Sequence, residues 1–173
     1  MKTKLARFLL LPAAGALFLA LAADVHTDYD HKADFSRYHT YSWIGVRAGN
    51  SLWSDRIMGA VDSQLAARGW TKVASGGDAA VSAFGRVTEQ DTMQTYYNGF
   101  PGWRWGWDGM ATTEVVPEHV GNLTVDVLDG STKQLIWRGT AAQVLSSKPE
   151  KNEHKMDDAV GDMFKHFPPR TKG

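Results

Sequence analysis

Apolar and polar residues alternate along several short stretches of the chain, with the period of two that a β-strand with one buried face produces. The first stretch runs from Val25 to Asp30, and the second, rich in aromatic and β-branched residues, runs from Tyr38 to Ile44. Between them, Asp34 to Arg37 has the composition of a capped turn. We expect these two strands to lie close together in one sheet.

Three more strands follow from the same alternation. One begins near Asp78, and the other two are separated by the turn sequence Asp129-Gly130-Ser131-Thr132, so these two form the clearest hairpin in the chain. Asp126 and Arg138 lie on its two strands and are predicted to form a cross-strand ion pair. The alternating apolar residues are Val81, Ala83 and Val87; Leu123, Val125 and Val127; and Leu135, Trp137 and Ala141.

Two other stretches repeat with the three- and four-residue spacing of an amphipathic helix. The first begins after the capping pair Asn50-Ser51 and ends at Gly69, a residue type that readily adopts the left-handed conformation past a helix end. The second begins at Pro149 and is ended by Pro168-Pro169. The residues at helical spacing are Trp53, Ile57, Ala60, Val61, Gln64 and Leu65 in the first and Met156, Ala159, Val160, Met163, Phe164 and Phe167 in the second.

The order of these elements predicts the fold class. The strands are grouped with two helices and do not strictly alternate with them, which is typical of an α+β protein. We therefore expect a two-layer sandwich, with a mainly antiparallel sheet and both helices packed on one face. Residues 24–173 are enough for a single domain with one hydrophobic core.

The first 23 residues have the features of a secretory signal peptide. Lys2, Lys4 and Arg7 give a positive start, and Phe8 to Ala23 follow without a charged side chain. Ala20-Leu21-Ala22 has the small-x-small pattern of a cleavage site. We expect the mature chain to begin at Ala23 or, by a neighbouring cut, at Asp24, and the protein to be exported, to the periplasm or the cell envelope.

Composition narrows the classes of partner and cofactor. Without the three basic residues of the signal, a chain with 19 basic and 19 acidic residues has a formal charge of −3, which disfavours nucleic acid as a partner. The chain has no cysteine, so thiolate metal sites and a Cys nucleophile are excluded. It also has no phosphate-binding glycine loop, dinucleotide fingerprint, nucleophile elbow or zinc-protease helix. We predict no cofactor and no catalytic residue from these motifs.

A family resemblance is carried by segments 24–30, 34–36, 41–43, 122–127, 136–141 and 163–169. These segments resemble a bacterial envelope family of unknown function, DUF4136. The family resemblance implies this fold and an envelope location, and no activity. Its members are often lipoproteins, but Asp24 stands where the lipid-bearing Cys would be, so we expect no covalent lipid anchor.

A Gly- and aromatic-rich segment at about residues 94–112 is predicted to be a long loop between two strands, because so many glycines suit neither a helix nor a regular strand. Two interpretations stay open. The rings either form an exposed contact surface or fold back onto an edge of the core. The candidate contact residues are Tyr96, Tyr97, Phe100, Trp103, Trp105 and Trp107.

Polar side chains on the first strand suggest two further kinds of site. His26, Asp28 and Asp30 project from one face, and imidazole with carboxylates is a ligand set for a divalent metal. The two aspartates can also be interpreted as a glycosidase-like carboxylate pair. Spacing alone supports both interpretations weakly, because solvent-exposed strand faces commonly carry such residues.

The leading hypothesis for function is therefore a non-enzymatic envelope accessory or binding domain that uses its aromatic loop as a contact surface. Its partner is expected to be an envelope protein, the membrane surface or a cell-wall glycan. The alternative from another class is a hydrolase that acts on an envelope polymer through carboxylates of the first strand.

Overall fold

The computed structural model describes residues 23–98 and 110–168, which form a six-stranded sheet with two helices on one face. The strand order is β1-β6-β5-β4-β2-β3. A short 3-10 helix, Phe35–Arg37, follows the first strand, and the Asp34 carboxylate caps it. The strands are β1 (Asp24–Tyr29), β2 (Thr40–Arg47), β3 (Thr71–Lys72), β4 (Ala79–Asn98), β5 (Met110–Asp129) and β6 (Leu135–Val144), and the helices are α1 (Ser51–Ala66) and α2 (Pro149–Phe164).

The α+β sandwich is confirmed, but the sheet is mixed. The pairings β1–β6, β6–β5 and β5–β4 are antiparallel, whereas β4–β2 and β2–β3 are parallel. The parallel part arises because α1 lies between β2 and the strands that follow it, so the chain returns to the same end of the sheet before it continues.

The expectation that the first two strands lie close together is wrong. β1 pairs with β6 and β2 pairs with β4, so three strands separate them. The segment between them does not make a tight turn, because it buries Ala33, Phe35 and Tyr38 in the core. Because these side chains are buried in the core, the segment crosses the sheet from β1, at one edge, to β2, next to the other edge.

Both predicted helices are confirmed, but α2 ends at Phe164, so Phe167 and the predicted stop at Pro168 lie beyond it. The Asn50 side chain accepts a hydrogen bond from the Trp53 amide at 3.0 Å, and Gly69 has a φ of +83° after the end of α1. The apolar stripes of the two helices are buried against the same face of the sheet. On this face, β4 contributes Val81 and β5 contributes Val125 and Val127 to the core. The buried stripe residues are Ile57, Val61 and Leu65 in α1 and Ala159, Val160, Met163 and Phe164 in α2.

Arg68 joins the ends of the two helices. Its guanidinium donates to the carbonyl oxygens of Gln64 at 2.9 Å and Phe167 at 2.8 Å, and also to that of Phe164. Phe164 is the last residue of α2, where carbonyl oxygens lack partners within the helix, and a positive charge there complements the helix dipole. Arg68 therefore fixes the angle at which α2 lies against α1.

Candidate functional site

The β4–β5 hairpin extends far beyond the rest of the sheet. β2 ends at Arg47 beside Phe84, and β6 ends at Val144 beside Val120, whereas β4 and β5 stay paired as far as Asn98 and Met110. The outer ten residue pairs, Glu89–Asn98 with Met110–His119, thus form a two-stranded arm. At the usual rise per residue of a strand, this arm is about 30 Å long.

The strands of the arm run further into the aromatic segment than the predicted loop allowed. Residues 94–98 and 110–112 are paired strand, so the connection between the strands is limited to residues 99–109. Tyr96 and Tyr97 lie in β4, and their side chains are outside what the structure describes. Phe100, Trp103, Trp105 and Trp107 belong to the connection and also lie outside the described residues, so their role as contact residues stays a prediction.

The described surface of the arm is acidic, with exposed apolar side chains. Its two strands contain the carboxylates Glu89, Asp91, Glu114 and Glu118 and no Lys or Arg. Met93 and Val115 lie opposite each other and are 75% and 52% exposed. Such a surface is suited to a neutral or basic partner with apolar groups, and not to an anionic one.

The candidate metal ligands of the first strand do not come together in the described structure. His26 contacts Asp24 at 3.1 Å, and both side chains are 74% exposed. The carboxylates of Asp28 and Asp30 accept local backbone hydrogen bonds, from the amides of Tyr29 and Lys32. Within residues 23–98 and 110–168, no three His, Cys, Asp or Glu side chains lie close enough to hold a metal ion.

The predicted ion pair on the late hairpin is confirmed. Arg138 lies opposite Asp126, and its Nε and Nη2 atoms donate to the two carboxylate oxygens at 2.6 and 2.7 Å. The Asp126 carboxylate raises the pKa of Arg138 above its ordinary value. The pair lies on the sheet face opposite the helices and is partly exposed, so its role is structural.

A hydrogen-bonded cluster at the end of the sheet opposite the arm was not predicted. The Asp129 side chain is buried, and it accepts hydrogen bonds from the Ser131 amide, the Ser131 hydroxyl and the Thr132 amide at 2.6 to 2.9 Å. The Tyr38 hydroxyl donates to its second oxygen at 2.9 Å. These bonds hold the pKa of Asp129 well below its usual range, while burial and this carboxylate raise the pKa of Tyr38 to about 12.

Asp78 performs a similar task beside this cluster. Its carboxylate accepts from the amides of His39 at 3.0 Å and Thr40 at 2.9 Å, and its carbonyl oxygen accepts from the Gly130 amide at 2.7 Å. A pocket of about 340 Å³ lies between these turns. Because the carboxylates of Asp78 and Asp129 are already bonded to the protein, we assign the cluster to stability. We call this cluster, formed by Tyr38, Asp78 and Asp129 with the turn at Gly130–Thr132, the turn clasp.

A second pocket, of about 470 Å³, lies between β1 and the end of α2. Aromatic rings of Tyr29 and Trp137 form part of its wall, and Lys165 and His166 lie at its rim. It is open to solvent and borders Pro168, beyond which the chain is outside the described residues. The residues described in its wall include no carboxylate, so they do not form a glycosidase-like carboxylate pair.

The turn clasp predicts how stability depends on pH. A carboxylate whose pKa is lowered on folding contributes stability that is complete above its unfolded pKa, about 3.9, and is lost as the pH falls. We therefore expect Asp129→Asn to be less stable than the wild type by a constant amount between about pH 5 and 7. This difference should shrink steadily below about pH 4.

Urea unfolding of both chains between pH 2 and 7 measures that difference, and comparing the two chains cancels the contributions of the other carboxylates. A difference that stays constant down to pH 2 would contradict the lowered pKa of Asp129.

The described part of the chain contains no helix that is both long and apolar enough to cross a membrane. This finding concerns the residues from 23 onward, apart from the gaps at 99–109 and 169–173, and does not include the predicted signal peptide.

Comparison with solved structures shows similarity of fold at low sequence identity. A PDZ domain protein from Parabacteroides distasonis matches with a TM-score of 0.61 and 13% identity, over 87% of this chain but only 36% of that one. A PelC dodecamer from Paraburkholderia phytofirmans matches with a TM-score of 0.49 and 14% identity, over 82% of this chain and 96% of its own. The first match supports the fold alone, and the second is too weak to carry an argument.

Comparison of the sequence itself gives the family. No curated protein matches the chain. A family model described as a domain of unknown function, DUF4136, matches residues 25–169, which is nearly all of the chain after the predicted signal. Apart from Asp24, the first residue of β1, the match covers every described helix and strand. The chain therefore belongs to the DUF4136 family.

Proposed function

We propose that the protein is a non-enzymatic, exported binding module of the cell envelope, which presents the aromatic segment 99–109 to a partner protein at the end of the arm. The observation that carries this proposal is the arm itself, ten residue pairs that no other described strand covers. The export signal and the envelope location rest on the sequence of residues 1–23.

The length of the arm is unfavourable for stability, so we infer that it serves a function. A two-stranded ribbon in water is marginally stable, and both of its edges are exposed to unwanted pairing. A short turn near Thr88 and Val120 would close the same sheet without this cost. The length of the arm instead places Asn98 and Met110 about 30 Å from the body.

Charge favours a protein over a membrane surface as the partner. The four carboxylates of the arm would be repelled by anionic lipid headgroups, and the connecting segment adds only Arg104 against Asp108. Aromatic side chains are enriched at the centres of protein interfaces, where they fill apolar pockets. A glycan that stacks on the rings is the competing outcome, and the experiment below distinguishes it.

The hydrolase alternative has no support among the described residues. Asp28 and Asp30 are exposed at an edge of the sheet, and each is hydrogen-bonded to a neighbouring backbone amide. They border neither of the two pockets described above. A general acid and its partner carboxylate need a shared cleft around the scissile bond.

The test replaces the three tryptophans of the segment together, as Trp103→Ala, Trp105→Ala and Trp107→Ala. We expect the free energy of unfolding to change by less than about 1 kcal/mol, because a contact surface contributes little to the core. In a separate variant, a photoreactive residue at position 105 should crosslink the partner protein in cells. We expect this crosslink to be lost when positions 103 and 107 are also replaced by alanine.

Phe84→Ala is the matched control, because Phe84 is an exposed aromatic residue of β4 that lies outside the arm. It should leave the crosslink intact. Severe destabilisation of the triple variant would show that the rings belong to the core, and binding to peptidoglycan in place of a protein would assign the segment to a glycan.

A further inference from the structure

The arm has two outer edges, one on β4 and one on β5, and at each edge the backbone amides and carbonyls of alternate residues point outward. The Leu145 amide donates to the carbonyl of His119 at 2.7 Å, so the polar backbone groups of His119 point away from β4. In an antiparallel ladder this direction alternates with every residue. Pro117, Val115 and Thr113 therefore also point outward from β5, and the residues opposite them point outward from β4. On β4 these residues are Glu89, Asp91, Met93 and Thr95.

The outer edge of β5 is protected and that of β4 is not. Pro117 has no amide hydrogen, so it interrupts the outer edge of β5, and the carbonyl of His119 is already used by Leu145. Along β4, residues 89–95 contain no proline, and among the described strands none lies beside β4 beyond Phe84. Proteins commonly protect a strand edge that must stay unpaired, so the unprotected edge is the one available for pairing.

Apolar side chains lie at the middle of this unprotected edge. Met93 is among the exposed large hydrophobic residues, and Val115 is its exposed cross-strand neighbour on the same face. Carboxylates lie on one side of Met93, at Glu89 and Asp91, whereas Thr95 on the other side is uncharged. The edge is therefore asymmetric in charge about an apolar centre.

We propose that the outer edge of β4 pairs antiparallel with the same edge of a second copy of this chain, with Met93 opposite Met93 of the second copy. This arrangement joins the two arms into a four-stranded sheet, and it forms a continuous apolar row of Val115, Met93 and the same two residues of the second copy. It places Asp91 opposite Thr95. It goes beyond the proposed function, because it uses the side of the arm and not the segment at its end.

The charge pattern explains why a second copy fits this edge. A two-fold axis at Met93 reverses the direction of the strand, so the acidic side of each copy meets the uncharged side of the other. A shift that brings Asp91 opposite Asp91 of the second copy would put like charges face to face, which destabilises a cross-strand pair. The edge is thus self-complementary in charge when Met93 lies opposite Met93 of the second copy.

The first test measures the oligomeric state of the purified full chain by sedimentation equilibrium. We expect a dimer, and we expect Met93→Pro, which removes an outward amide from β4, to raise the dimer Kd at least tenfold. Val115→Pro is the matched control, because it removes an outward amide and an exposed apolar side chain at the same height on the opposite edge. It should raise the Kd less than threefold.

The second test uses the absence of cysteine from the chain. Residues opposite each other in a hydrogen-bonded antiparallel pair have Cα atoms about 5.5 Å apart, within the range of a disulfide. Met93→Cys should therefore form a disulfide-linked dimer under mild oxidation. Asp91→Cys, which lies about 14 Å from its counterpart in this register, should stay reduced.

These outcomes decide the proposal even if Met93→Pro does not fold. A monomeric full chain, equal loss of dimer in both proline variants, or crosslinking through Asp91→Cys and not Met93→Cys would each overturn it. Crosslinking of Met93→Cys in cells to a different protein would assign the edge to another partner and overturn self-pairing. The triple tryptophan variant should remain dimeric, so failure of the proposed function leaves this result unchanged.

Discussion

Phe164→Ala is expected to lower the free energy of unfolding by about 3–5 kcal/mol, the usual cost of truncating a buried phenylalanine. The Phe164 side chain is 0% exposed, and its ring centre lies 4.8 Å from that of Trp137 and 5.2 Å from that of Phe167. Arg68 covers it from a third side, at 5.7 Å. Because these neighbours are themselves fixed by the sheet, the helix end and hydrogen bonds, they cannot close the cavity that alanine leaves.

Urea unfolding followed by tryptophan fluorescence measures this loss. Phe84→Ala is the control, because the same substitution at a residue that is 51% exposed should cost less than about 1 kcal/mol. Similar costs at the two positions would mean that the aromatic cluster at the end of α2 is not the rigid centre described here.

Gly130→Ala is expected to destabilise the protein by about 3 kcal/mol or more, through the turn clasp. A Cβ atom at this position would lie 2.6 Å from the carbonyl oxygen of Asp78 and still closer to that of Gly77. Both obstacles are backbone, so no side-chain rotation relieves them. The turn can move away only by breaking the hydrogen bond from the Gly130 amide to Asp78 and disturbing the bonds that hold Asp129.

Gly59→Ala gives the matched control for this substitution. Gly59 lies within α1, and an added Cβ there meets nothing within 4 Å. Alanine should stabilise the helix by about 0.5–1 kcal/mol, because glycine loses more backbone entropy on folding. Thermal denaturation should therefore shift the two melting temperatures in opposite directions, and an unchanged melting temperature for Gly130→Ala would show that the turns are not in close contact.

The parts of the fold that could be predicted are those with a local physical cause. A helix buries one stripe at a fixed spacing, so Ile57, Val61 and Leu65 could be assigned to the core from the sequence alone. The cap at Asn50, the left-handed Gly69 and the Asp126–Arg138 pair follow equally from residues close in the sequence or joined by one turn.

The parts that could not be predicted depend on distant residues or on the absence of a buried face. The partners of β1 and β2 are decided by which strands lie beside them, 108 or more residues away for β1, and no local pattern shows this. The arm has water on both faces, so residues such as Thr92 and Met93 follow no amphipathic period. The sequence indicates Asp129 only as a turn residue and Asp78 only as the start of a strand, because their bonding partners in the clasp are brought together by the sheet.

The independence of the arm from the body has a consequence for how this family can diversify. Inserting two residues into each strand at the same level would lengthen the hairpin by about 7 Å and leave every side chain on its original face, because the period is two. No contact of the hydrophobic core would change. The length of the arm can therefore change in steps of two residues per strand during evolution, without any compensating substitution elsewhere in the molecule.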